Sequence, residues 1–116
     1  MAQLNGVYKE TNIASMANVE TLLIAYLTVQ DTRMIALGGA ATKIIGSLTI
    51  TVDCEDSGAG TTRFVHRVVT ALNCLSLADI TTLIAALEVY IAAVLAESAY
   101  SADPYFDLEI NTVMTS

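Results

Sequence analysis

The chain has no tryptophan, one proline, one histidine and two cysteines among its 116 residues. Cys54 and Cys74 are too few for the disulfide framework of a small secreted domain. Even with the histidine they cannot complete a four-ligand zinc centre without carboxylates or a second chain. Charge is scarce too: 15% of the residues are charged and 54% are hydrophobic, against about 25% charged in ordinary globular chains. A small domain has a large surface for its volume. Either Thr, Ser and Ala tile that surface here, or other copies bury part of it.

Basic residues run out early. Arg33, Lys43, Arg63 and Arg67 lie in the middle third, and no Lys or Arg follows Arg67. Asp79, Glu88, Glu97, Asp103, Asp107 and Glu109 all come later, and the net charge is −7. That asymmetry implies two differently charged surfaces. The opening residues lack the apolar stretch of a secretory signal. The apolar run Leu83–Ala96 contains Glu88 and falls short of the about 20 residues that cross a bilayer. The expectation is a chain made in a reducing cytoplasm, with no membrane partner.

The patterns that are present predict one α+β domain, with a small antiparallel sheet, a shorter N-terminal helix, a long C-terminal amphipathic helix and a closing strand. Residues 1–15 read as an arm or a short edge strand. Asn18 is placed to cap a helix over 18–30, with Val19, Leu22, Leu23, Tyr26 and Leu27 on one stripe. Arg33 to Leu37 reads as a short strand stopped by Gly38-Gly39. Leu48, Ile50 and Val52 alternate with Thr49, Thr51 and Asp53, the period of a half-buried strand, and a second strand follows over 62–72. A symmetric hairpin centred on Gly58 opposes Leu48 to Val68, Ile50 to His66 and Val52 to Phe64. Its other face opposes Thr49 to Arg67, Thr51 to Val65 and Asp53 to Arg63, so one face is apolar and the other polar. Cys54 then faces Thr62, far from Cys74. A disulfide, which needs Cα atoms within about 7 Å, is not expected.

Ser76 with Asp79 three residues on resembles a capping box and opens a helix over about 76–98. Leu77, Ile80, Leu83, Ile84, Leu87, Tyr90, Ile91, Val94 and Leu95 fall on one wide arc. The back of the helix carries Ala85, Ala86, Val89, Ala92 and Ala93, where Lys–Glu pairs would be usual. Small apolar residues there let another copy approach closely, and this is the candidate oligomer interface. Asp103-Pro104 interrupts the chain. Phe106, Leu108 and Ile110 then alternate with Asp107, Glu109 and Asn111 in a last strand with an acidic face.

Catalytic constellations are missing. His66 has no neighbouring nucleophile motif and, on the apolar face, reads as a core or interface residue. Asp53, Glu55, Ser57 and Gly58 imitate a calcium loop, but its twelfth position is Phe64 where a bidentate Glu is required. Gly38-Gly39 lacks the Gly-Lys-Ser/Thr of a phosphate loop. No cofactor, metal or enzymatic activity is expected. A sheet face with Lys43, Thr49, Thr51, Arg63 and Arg67 could touch RNA phosphates without reading bases. Asp53 beside Arg63 and the net charge oppose that use.

The strand Ser47–Cys54, the strand over 62–72 and the helix from Leu77 resemble in layout the small coat proteins of single-stranded RNA bacteriophages. That resemblance implies a subunit that pairs with itself and presents a sheet face to genomic RNA. The family's N-terminal hairpin is not evident, and the helix over 18–30 and the acidic last strand have no counterpart there. The layout is similarly close to phage tail-completion, head–tail and decoration proteins. The function expected is a non-enzymatic, self-assembling structural protein of a virion, assembled in the host cytoplasm. The alternative is a small ligand- or partner-binding regulatory module with a groove near Tyr26, Phe64, His66 or Tyr90.

Overall fold

A computed structural model describes residues 2–55, 63–96 and 102–116. The elements are β1 (Gln3–Ile13), α1 (Met16–Leu37), β2 (Lys43–Glu55), β3 (Arg63–Cys74), α2 (Leu77–Leu95) and β4 (Ala102–Thr115). The strands form one antiparallel sheet in the order β1-β4-β2-β3. Each helix therefore joins two parallel strands with a third strand between them, making two interlocked split β-α-β units. Both helices pack on one face of the sheet. The other face is open.

Strand alternation sets the core. Even-numbered residues of β2, β3 and β4 point to the helices: Ile44, Leu48, Ile50 and Val52 from β2, Leu72 from β3, and Phe106, Leu108, Ile110 and Met114 from β4 are buried. Val19, Leu23, Leu27 and Met34 of α1 and Ile80, Ile84 and Ile91 of α2 close over them. The expected α+β class, antiparallel sheet, two helices and closing strand are all present.

Several boundaries differ from expectation. The arm is an 11-residue edge strand, β1, whose alternation is hidden by Gly6 at an inward position. The N-cap of α1 is Ser15, whose hydroxyl accepts from the Asn18 N–H, not Asn18 itself. The short strand expected at Arg33–Leu37 is instead the end of α1. Its stripe continues through Gln30, which is buried and accepts a hydrogen bond from Arg33, to the buried Met34. A polar residue within the stripe made the helix look finished. Gly38 and Gly39 do end it, both at positive φ that suits glycine.

The central hairpin pairs Ile50 with Val68, Thr51 with Arg67, Val52 with His66 and Cys54 with Phe64, two residues out of the symmetric register. A slip of two keeps every side chain on its expected face. Cys54 and Cys74 are buried thiols at opposite ends of the ladder and form no disulfide. Asp79 does not reach back to the cap residue. Its carboxylate accepts from the Leu75 N–H, and Ser76 makes no side-chain cap bond. Helix α2 ends at Leu95 with Ala96 as its cap, so the expected extension to 98 lies outside the described residues. Pro104 lies inside β4 rather than before it. There β4 has passed the end of its pairing with β1, which stops at Phe106, and its register with β2 shifts between Asp53 and Glu55. A missing N–H costs nothing where no ladder bond is due.

Candidate assembly surfaces

The helix layer carries few charges: Glu20, Asp31 and Arg33 on α1, Asp79 and Glu88 on α2. Ala85, Ala86, Val89, Ala92 and Ala93 are all exposed, and Val89 is 72% accessible. Of the 19 residues in α2 only Ile80, Ile84 and Ile91 are fully buried; Leu77, Leu83, Leu87 and Leu95 of the expected core arc pack partly buried against the core, and Tyr90 is exposed. On α1, Val29 and Ile35 are exposed as well. Five exposed helix threonines make this surface more apolar than its composition implies. Thr21, Thr28, Thr32, Thr81 and Thr82 each donate their hydroxyl to the carbonyl four residues back, at 2.7–3.2 Å. The hydroxyl is thus satisfied within the helix, and the methyl is left to face outward.

By length and composition α2 is also long and apolar enough to cross a membrane, with a mean hydropathy of 1.8 over 18 of its 19 residues. The run Leu83–Ala96, too short by itself to cross a bilayer, leaves out the first six residues of the helix, Leu77 to Thr82.

Between the helices, the Glu88 side chain of α2 meets the Glu20 side chain of α1. A hydrogen bond to Glu20 raises the Glu88 carboxyl above its ordinary value; partial burial and the Glu20 charge add to this. Beside it lies a mainly apolar groove of about 310 Å³ lined by Met16, Ala17, Glu88, Ile91, Ala92 and Leu95.

The open sheet face carries the odd-numbered residues. Thr49, Thr51 and Arg67 lie together, as expected, in a shallow depression of about 350 Å³ that also takes in Lys9, Thr11, Asp107 and Glu109. Glu109 stands opposite both Lys9 and Thr49, and Asp107 opposite Thr51. Lys9 and Glu109 form an exposed ion pair at 3.9 Å, and Asp107 accepts from the Asn12 N–H. Acidic β4 therefore runs alongside the expected RNA-facing surface, between Lys9 on β1 and the β2–β3 pair that carries Arg67. Lys43 is eight residues from Thr51 on the same strand, about 26 Å away at ordinary strand rise. The backbone of Arg63 pairs with Glu55, and its side chain lies outside what is described. Exposed Val7, Ile45, Val65, Val69 and Tyr105 share this face. The alternation of Asp107 and Glu109 was legible in the sequence, but their place in the sheet was not.

His66 lies half-buried on the helix-covered side of β3. Its Nε2 is 3.2 Å from the Tyr90 hydroxyl, with the rings 5.7 Å apart and tilted. Burial, then the Asp53 charge, pushes the Cys54 thiol above its ordinary value, away from the thiolate that nucleophilic chemistry needs. The calcium-like loop falls largely outside the described residues. Among the described residues no three His, Cys, Asp or Glu side chains gather as a metal site would require. No family model, curated protein or solved structure matches the chain.

Proposed function

We infer that this protein is a non-enzymatic structural subunit that assembles with copies of itself. A phage virion is the setting its central hairpin and long helix resemble. The observation that carries this reading is the surface of the helix layer: alanines, valines and threonine methyls, uncovered over most of α2. Large exposed apolar patches on soluble chains mark interaction sites, and small side chains allow a close approach of backbones.

Light scattering over a wide concentration range tests it. Masses well above the 12.3 kDa monomer are expected, and Val89→Lys, at an exposed position, is expected to reduce them. A sharply monomeric wild type at high concentration overturns the reading. A second reading, a helix layer that lies against lipid, is favoured by the hydropathy of α2. Flotation of the protein with neutral phosphatidylcholine vesicles would favour it over self-assembly.

A further inference from the structure

We propose that two copies join edge to edge through β3, giving an eight-stranded sheet with all four helices on one side and the two α2 helices packed across the seam. The proposal rests on the self-assembly reading and names its primary interface.

The sheet has two edges, and they are built differently. The β1 edge carries Lys9, Glu10 and Asn12, and its register with β4 breaks between Glu10 and Ile13, where Asn12 takes a φ of 57°. Charges and a bulge are the usual devices that stop an edge from pairing with another chain. The β3 edge also carries charge, at Arg63 and Arg67, but it has neither a proline nor a bulge, and its 12 residues pair with β2 in one unbroken register. Among the described residues nothing pairs with its outer side. Val65 and Val69 stand exposed along it, Val69 at 65%. A long edge without bulge or proline is a template for another strand.

A second observation points to the same seam. The Tyr90–His66 contact shows which flank of α2 overhangs β3. Leu83, Leu87, Tyr90 and Val94 share that flank at spacings of four, three and four, the seam of a two-helix coil. Leu83 and Leu87 lean partly on the core and keep an outer edge in solvent, Val94 is partly covered, and Tyr90 is 49% exposed. The opposite flank is already used, since Glu88 and Ala92 face α1. Extending the sheet through β3 brings this stripe against its own copy.

Symmetry makes the occupant a second copy rather than a foreign strand. Paired antiparallel residues share a sheet face, so a two-fold axis must pass through one residue and its mate. The midpoint of β3 falls between Val68 and Val69. With the axis at Val69, Arg67 faces Ala71 of the second copy and no like charges meet; with the axis at Val68 it faces Val69 and lies diagonal to the second copy's Arg67, the less favourable register. β3 can thus pair with itself without directly opposed like charges.

The test is Val69→Lys in the full chain. Its side chain is exposed on the open face, so the monomer keeps its fold, confirmed by circular dichroism. In one register the introduced lysine meets its own symmetry mate, and in the other it meets Arg67 of the second copy. Like charges oppose in both. A dimer constant weakened about tenfold or more is expected by light scattering and sedimentation. Tyr90→Lys, on the helix seam, is expected to act in the same direction. Val7→Lys, 70% exposed on the β1 strand, is expected to leave the dimer intact. A wild type that assembles while folded Val69→Lys and Tyr90→Lys assemble equally well overturns the seam and leaves self-assembly standing. A wild type that stays monomeric overturns both.

Discussion

Gly46 sits where the sheet has no room for a side chain. Its φ is 145°, and a Cβ there would run into the backbone carbonyl oxygen of Asn111 on β4. Backbone cannot turn aside as a flexible side chain can, so the clash falls on the pairing of the two central strands. Gly46→Ala is expected to destabilise the fold by about 3 kcal/mol or more, seen as a lower urea midpoint. Nothing in the local sequence Ile44-Ile45-Gly46-Ser47 announces this, because the obstructing atom is 65 residues away in the chain.

At the scale of elements, the two helices meet through a carboxyl pair. Because the folded state raises the Glu88 carboxyl, it holds that proton more tightly than the unfolded chain does. Stability from this contact is therefore present below the ordinary carboxylate value of 4.5 and declines as pH rises through the raised value. Glu88→Gln keeps a hydrogen-bonding partner for Glu20 and cannot ionise. It is expected to raise the melting temperature at pH 7 by about 1–3 °C and to remove this part of the pH dependence, as thermal scans from pH 4 to 7 would show. The strands were the legible elements. Alternation in β2 and β4 identified their buried faces because the period of a strand is two and survives any even slip. The end of α1 was not legible, since Gln30 takes a core position through tertiary contacts that a periodic reading counts as a break.

As a whole, the molecule is an elongated slab of 55 × 21 × 18 Å with a radius of gyration of 15.9 Å. A compact chain of this length would come near about 13 Å. Strands of 11–14 residues set the long axis, and a thin two-layer slab leaves a large surface for few charges to cover. If copies bury that surface, folding and assembly are linked by mass action. The melting temperature of the wild type is then expected to rise with protein concentration, and that of Val69→Lys to rise less. A melting temperature independent of concentration across a hundredfold range would speak against linked assembly.

The order of residues alone was enough for the class of fold, the inward face of each patterned strand, the two glycines that end α1 and the shortage of charge. These are local properties, carried by side-chain periodicity and by which φ angles a residue tolerates. The strand order, and with it which strands are edges, came from the folded chain alone. Folding also set the acids of β4 among the cations of the open face and left most of α2 uncovered. Those depend on contacts between residues far apart in the chain, where no local period can specify which strand lies beside which.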